Sequence, residues 1–357
     1  MVSRITLRQA SMMFILTTLS PAIRLFPVVC ARYGGTAGWL APIVGAAGLV
    51  AVLAVLHGLF KNGQVTNLSE AFNAALGRKI GKALLVVYLL WTLALFSLYV
   101  RYYAERLVSS LFTNVNLDFF VIAMLILVFF AARTKLTALA RFSEISILIF
   151  CVVFAVFFAV LVPTLRLGNV LPVTHHDAPG ILRSSLPVVS IWGYITLFFF
   201  LDIKNAGDIK KHGRNMVLIL ALTTALMVFL VVGSLGPDVA QRMSLPFFRA
   251  SKLIDVMQPF DRFEAVLSSI WVFADFILIT AFAFIIMNII KRLFNLTQAR
   301  FLSGPVVLFG YAGSFLPVSA FELERFSNSP ITHAVNITLC IAIPALALWV
   351  GKIRRKV

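Results

Sequence analysis

Acidic residues are scarce in this chain: 14 Asp and Glu stand against 31 Lys and Arg in 357 residues. Charge of either sign is scarce as well, at 13% of residues, against about a quarter in soluble domains. That leaves too little polar surface to clothe the two or three soluble domains the length alone would suggest. Cysteine is rare. Cys30, Cys151 and Cys340 lie in or beside apolar runs without paired spacing, which argues against a disulfide framework and a zinc site. No Walker-type loop, nucleophile elbow or HExxH motif occurs, so an enzymatic reading has no motif support and no cofactor is implied. The formal charge of +17 does not mark a nucleic-acid binder, because Lys and Arg fall in short clusters between apolar runs instead of on one basic face. A cleavable leader is not expected either: the first apolar run, from about Ala10, lacks a small-residue cleavage site and further runs follow it.

What is abundant is apolar sequence, at 61% of the chain. A membrane-spanning helix needs about 20 mostly apolar residues to cross the bilayer core. Ten candidates are present, at 9–30, 39–60, 81–111, 117–132, 142–163, 182–201, 215–236, 262–290, 303–318 and 332–350. The fourth and ninth are short. Basic residues cluster in alternate connections: Lys61, Arg78, Lys79 and Lys82; Arg133, Lys135 and Arg141; Lys204, Lys210, Lys211 and Arg214; Lys291, Arg292 and Arg300; and Lys352 to Lys356. This is the positive-inside pattern, and it puts both termini in the cytoplasm. The two long connections, 164–181 and 237–261, then face outward, and the second is expected to form a short amphipathic helix around 246–257. The chain reads as an all-α integral membrane protein, a single transmembrane domain. Ten spans divide into repeats of five, about 9–163 and 182–350. An odd number per repeat forces opposite orientations, which is the arithmetic of an inverted-repeat transporter.

Such folds interrupt the first helix of each repeat near its middle. The first span holds Thr17, Thr18, Ser20 and Pro21, then Arg24 and Pro27; the sixth holds Pro187, Ser190, Trp192, Gly193 and Tyr194. Proline removes a donor and frees carbonyls of the preceding turn, so helices 1 and 6 are expected to be interrupted there and to line a binding pocket. Ionisable residues inside spans are functional candidates because burying them in lipid costs several kcal/mol. Arg24 suits a ligand carboxylate by two parallel hydrogen bonds, or a structural pair with an acid on another helix. Asp275, one turn beyond Trp271 on the same face, suits pairing with Arg24, proton transfer or an amine. Arg101 and Glu105, at i and i+4, are placed to pair, with Arg106 beside them. Tyr99 and Tyr102, one turn apart, suit a gate or hydrated path, or an interfacial aromatic belt. Glu144 and Asp202 read as partners of Arg141 and Lys204. The adjacent His175 and His176 lack a third ligand nearby, so no metal site is assigned.

The order of local patterns resembles one family across nearly the whole chain. Ile5-Thr-Leu-Arg-Gln9 precedes the first span, and Gly77-Arg-Lys-Ile-Gly-Lys82 opens a long third helix carrying Tyr99-Val-Arg-Tyr-Tyr-Ala-Glu105-Arg106. Arg141-Phe-Ser-Glu144 opens the fifth span, and Asp261-Arg-Phe-Glu-Ala265 leads into Ile270-Trp-Val-Phe-Ala-Asp-Phe276. Together they resemble the B subunits of spore nutrient germinant receptors, the GerAB/GerKB type, within the amino acid–polyamine–organocation (APC) superfamily. The resemblance implies a LeuT-like fold in the spore inner membrane and binding of a small germinant such as an amino acid. It also implies work with a larger A-type membrane subunit and a C-type lipoprotein, without catalysis. Many members carry Gly-Glu at the sixth-helix break, where this chain has Gly193-Tyr194. A stand-alone proton- or sodium-coupled amino acid transporter of the same superfamily is the alternative, although the fifth span lacks the Lys that stands in for sodium in some relatives. A passive water or ion conduit within a larger complex is a third reading.

Overall fold

The computed structural model describes residues 4–61, 65–112, 114–253, 263–317 and 319–354. Its helices are α1 (Leu7–Gly34), α2 (Ala41–Phe60), α3 (Leu68–Leu76), α4 (Arg78–Ser110), α5 (Leu117–Ala132), α6 (Leu136–Leu161), α7 (Ala178–Trp192) and α8 (Ile195–Phe198). They continue as α9 (Ile209–Leu235), α10 (Pro237–Ala240), α11 (Pro246–Lys252), α12 (Phe263–Leu293), α13 (Ser303–Ser314), α14 (Ala320–Ser327), α15 (Pro330–Ile337) and α16 (Ile343–Ile353). A single π-helical turn, Thr338–Ala342, joins α15 to α16. Two short strands, β1 (Ile5–Thr6) and β2 (Ile203–Lys204), pair in parallel and close one end of the bundle.

Local chemistry sets several boundaries. Thr6 and Gln9 form a capping box at the start of α1. Asn67 caps α3 by accepting from the Glu70 amide at 3.0 Å. Gly77, at φ 91°, turns α3 into α4. Among the described residues, seven helical stretches are long and apolar enough to cross a membrane. One of them runs from Leu7 to Phe60 and contains α1, the 3-10 segment Gly35–Leu40 and α2. Helix α5 has 16 residues and α13 only 12. Burial separates inner from outer helices: the most apolar window of Leu136–Thr164 is 22% buried, against 78% for Ala265–Leu293. The outward faces of α6 and α13 present Ile145, Leu148, Ile149, Leu308 and Phe309 in the open. Such continuous apolar exposure suits lipid and not water.

Three expectations change. Helix α1 runs unbroken from Leu7 to Gly34 through both Pro21 and Pro27. Its flanks are buried nearly all round, so the carbonyls that the prolines leave without an amide partner are enclosed by protein and not lipid, while the hydroxyls of Thr17 and Thr18 bond within the helix to carbonyls of Phe14 and Ile15. Fifth-span helix α6 begins at Leu136, a turn and a half before the expected start at 142. Finally, α11 covers only the first part of the expected 246–257 helix, and 254–257 lie outside the described residues, as do Asp261, Arg262, Arg355 and Lys356. Helix α11 does not lie loosely on the surface: Phe247 packs on Phe157 and Trp271, with ring centroids 4.5 and 6.2 Å apart.

The turn between α1 and α2 is set by a close approach. A Cβ on Gly38 would overlap the carbonyl of Cys30, a backbone group that cannot swing aside. Gly38→Ala is expected to cost about 1–3 kcal/mol, as an overpacked site does. Gly168, with open space around it, provides the control: Gly168→Ala should leave the melting temperature unchanged while Gly38→Ala lowers it.

Candidate functional site

At the end of α7 the regular α-helical hydrogen bonding stops, although Gly193 and Tyr194 keep right-handed helical angles. The amide of Tyr194 donates to Ile191 at 3.1 Å and that of Thr196 to Gly193 at 2.9 Å, tight turns that carry the backbone through Gly193 and Tyr194 into α8. The sixth candidate span is thus interrupted where Gly193 and Tyr194 stand. Gly193 is required by proximity, because a Cβ there would sit 2.9 Å from the Cys340 side chain. That neighbour belongs to the π turn, whose wider winding changes which carbonyls find partners in their own helix. Thr196 donates to the Cys340 carbonyl at 2.7 Å, and the Tyr88 hydroxyl donates to the Leu339 carbonyl. Side chains of α8 and α4 therefore satisfy two carbonyls of the π turn in the interior.

Beside this junction lies a buried ionic cluster. Asp275 on α12 accepts from Arg106 on α4 at 2.6 Å through Oδ2, and from the Ser20 hydroxyl on α1 through Oδ1. Trp271 donates its indole N–H to Ser20 at 3.0 Å, and the Arg106 guanidinium stacks 4.2 Å from the Trp271 ring centroid. Both side chains of the ion pair are 5% exposed. The Nη1 of Arg106 has no partner among the described residues, nor do Trp192 Nε1, Thr280 Oγ1 or His333 Nε2. Buried donors of this kind normally meet a water or a bound group.

A polar chain connects the cluster's helices to the break. Tyr99 on α4, two turns before Arg106, approaches Tyr194 with hydroxyls 3.4 Å apart. Asn336 on α15 donates to Ser190 at 3.0 Å and to Tyr194 at 3.3 Å, while accepting from Trp91 at 2.8 Å. His333 Nδ1 lies 3.1 Å from Ser190. Toward α14, the Arg24 guanidinium covers the Tyr102 ring at 3.4 Å and donates to Ser327 at 2.9 Å, and Tyr102 donates to the Leu323 carbonyl at 2.7 Å. Helix α14 thereby closes this end.

Of the residues the sequence singled out, Ser20, Trp271 and Asp275 come together, as do Ser190, Tyr194 and Tyr99. Arg24 does not pair with Asp275: Arg106 occupies that carboxylate, and Arg24 turns to Tyr102 and Ser327. Thr17 and Thr18 are buried with their hydroxyls bonded inside α1. Trp192 is fully buried edge-on to Phe26, with centroids 6.2 Å apart. Arg101 and Glu105 do pair, at 2.8 Å, but Arg101 faces Phe315 beyond α13, off the Tyr99–Tyr102–Arg106 stripe. Ser327, His333 and Asn336 are site residues that the sequence does not single out, and Arg106, named there only beside the Arg101–Glu105 pair, is the partner of Asp275. Two signals could have found them: Tyr99, Tyr102, Tyr103 and Arg106 recur at helical spacing, and His333 and Asn336 are polar and one turn apart in an apolar span.

The opposite end is closed by charge. Arg292, at the end of α12, bridges Glu70 at 2.7 Å and Asp202 at 2.8 Å. Asn67 also donates to Asp202 at 3.1 Å, and the Ile5 amide donates to the Asp202 carbonyl at 3.2 Å. Asp202 thus pairs with Arg292 and not with Lys204, because β2 carries Lys204 outward. Glu144 meets Gln9 at 3.4 Å in place of the expected Arg141.

Residues 4–349 match the family described as spore germination protein, Spore_permease. A relative, spore germination protein KB of Bacillus subtilis (strain 168), is 21% identical over 268 residues, which cover 73% of this chain and 71% of the relative. With a match from the first described residue to the last helix, on an apolar helical bundle of membrane-spanning length, the chain belongs to the spore germination protein family.

Proposed function

We propose that this chain is the small-molecule-binding membrane subunit of a nutrient germinant receptor in the spore inner membrane. Its ten spans form two five-helix repeats of opposite orientation, with both termini cytoplasmic. In support, counterpart helices of the two halves pack on each other: α1 on α7, α2 on α9, α4 on α12 and α5 on α13. The described cations of the 133–141 and 291–300 connections lie beside Asp202, next to β2, a side that the positive-inside rule makes cytoplasmic. The bound molecule is an amino-acid-like nutrient, and the chain binds it without converting it. A larger A-type membrane subunit and a C-type lipoprotein read the outcome as a shift between conformations.

The observation that carries the reading is the interrupted α7 beside the buried Ser20–Asp275–Arg106–Trp271 cluster. Tyr194, Ser190 and Asn336 offer neutral donors and acceptors on one wall, and Asp275 and Arg106 offer opposite charges on another. An amino acid carries both charges, and a site of this composition matches it. Arg24 and Tyr102, held by Ser327 and Leu323, serve as the outer gate, with Tyr99 between gate and pocket. Thr17, Thr18, Trp192 and Gly193 shape the pocket by packing.

The test is a thermal-shift panel of amino acids, sugars and nucleosides on the purified chain, since a ligand at 100 times its Kd stabilises by about 2.7 kcal/mol. One or more amino acids should raise the melting temperature, and Asn336→Ala should weaken that ligand roughly tenfold, about 1.4 kcal/mol. Spores lacking the gene should lose their response to the same nutrient. A panel with no shift, together with unchanged germination where no redundant receptor exists, would refute the proposal.

A further inference from the structure

A large cavity among the described residues lies away from the Asp275–Arg106 cluster. It has a volume of about 1130 Å³ and opens at the β1–β2 end, between the α5–α6 connection, the end of α12 and the start of α13. Five cations line it: Arg133, Lys135, Arg141, Lys291 and Arg300, with the Asn288 amide among them. Among the described residues Asp202 is the only acid in the lining, and its carboxylate is engaged by Arg292 at 2.8 Å and by Asn67 at 3.1 Å. Among the described residues, none of the five cations has a carboxylate within 4.0 Å. The first turn of α6 lines the same cavity, and the residue before it, Lys135, provides no side-chain cap. The positive end of this 26-residue helix thus points to the cluster.

Five like charges gathered round one cavity repel one another, and among the described residues no carboxylate pairs with them. Arg133, Lys135, Arg141 and Arg300 are exposed and Lys291 is half-buried, but the charges come from two segments far apart in sequence, 133–141 and 291–300, and converge on one shared volume, where their fields add on whatever occupies it. Guanidinium forks match the oxygen geometry of phosphate, and uncapped helix amides bind the same group. Basic pockets between membrane helices on the cytoplasmic side are suited to phospholipid headgroups.

We infer that this cavity is a binding site for a phosphate group, supplied by an anionic lipid headgroup of the inner leaflet or by a soluble phosphate. Arg133, Arg141 and Arg300 hold the phosphate oxygens, Lys135 and Lys291 supply point charge, and Asn288 gives a neutral donor. The site is distinct from the nutrient pocket and stands whether or not that pocket binds an amino acid. Because its walls include α12 and the segment leaving α8, occupancy acts on the two elements that Arg292 locks together.

The experiment uses the full chain in phosphatidylcholine nanodiscs. Inorganic phosphate is titrated against chloride at matched ionic strength, and in a second arm phosphatidylglycerol replaces part of the lipid. Melting temperature and retained lipid, the latter by native mass spectrometry, are the readouts. Phosphate, phosphatidylglycerol or both should stabilise the wild type. The triple variant Arg133→Gln, Arg141→Gln, Arg300→Gln should lose at least about tenfold in apparent affinity. A control triple at the start of α4, Arg78→Gln, Lys79→Gln, Lys82→Gln, removes the same charge on the same side and should bind as the wild type does. A shift with phosphatidylglycerol alone assigns the lipid headgroup, and one with inorganic phosphate alone assigns a soluble ligand. No shift from either source, or an equal loss in the control triple, overturns the inference. Should the cavity triple fail to fold, Arg300→Gln alone replaces it, with the same expectation in direction.

Discussion

Arg106→Ala is expected to destabilise the protein by about 3–5 kcal/mol, the cost of leaving a buried carboxylate without its partner. Asp275 is 3% exposed, and its remaining support would be the Ser20 hydroxyl, which itself carries the Trp271 indole. The stacked guanidinium over Trp271 would also be lost, opening a void among α1, α4 and α12. The double variant Arg106→Leu, Asp275→Leu removes both charges together. It should recover most of the loss, since an apolar pair of similar volume is often neutral relative to a buried ion pair. The measurement is thermal unfolding in one detergent for wild type, both single variants and the double. Coupling within about 0.5 kcal/mol of additivity would mean that the pair seen at 2.6 Å contributes no interaction of its own. The double variant also separates structure from function. If Asp275 and Arg106 bind the nutrient, a folded double variant stays blind to it; if they only hold helices together, the response returns with the fold.

The second large effect falls at the other end of the molecule. Arg292→Gln should loosen three segments at once, because Arg292 joins α12 both to Glu70 of α3 and to Asp202 beyond α8, leaving the Asn288 bond to the Phe200 carbonyl at 3.2 Å and the Leu68 amide bond to the Phe199 carbonyl at 2.6 Å. Loss of charge-assisted hydrogen bonds at a partly exposed site costs about 1.5–3 kcal/mol. The local opening of β1 and β2 should then become roughly tenfold or more frequent, read as faster amide exchange at Ile5 and Ile203. Protection that is unchanged there would sink the closing role of Arg292. A pH signature accompanies it. Burial pushes the Glu70 carboxyl up, but hydrogen bonds from Thr66 and the nearby Arg292 outweigh it and hold it below its usual 4.5. A carboxylate with a lowered folded pKa contributes stability fully above its unfolded value and loses it as pH falls through the folded one. The closure should therefore be intact at neutral pH and weaken only in the acid range below 4.5. In Arg292→Gln that weakening should begin at higher pH, because part of the downward pull is gone.

Several elements are legible in the amino-acid sequence alone. The candidate span 117–132 coincides with α5, and 39–60 and 81–111 lie within three residues of α2 and α4. Arg101 and Glu105 pair as their i, i+4 spacing requires. The break at Gly193 is readable because glycine and proline act on their own backbone. The same rule fails for α1, where Pro21 and Pro27 are present but the helix continues, buried on nearly every side by its neighbours. The site is half legible. Asp275, Trp271, Ser20 and Tyr194 announce themselves as polar groups in apolar spans. Arg24 is as plausible a partner for Asp275 as Arg106, since sequence spacing across different helices carries no information on which side chains meet.

The sequence by itself determined that this protein lives in a bilayer, where its helices run, and which family it belongs to. Those follow from local rules: each apolar run must be buried wherever the rest of the chain lies, and backbone polar groups in lipid must bond within their own helix. Only the tertiary structure decided the partners. Arg106 reaches Asp275 across 169 positions, Asn336 reaches Ser190 across 146, and Arg292 reaches Glu70 across 222. Those meetings depend on how far each helix is rotated about its axis and which neighbour it packs against. That rotation is fixed by the summed fit of many side chains on several helices, a quantity no single stretch of sequence contains.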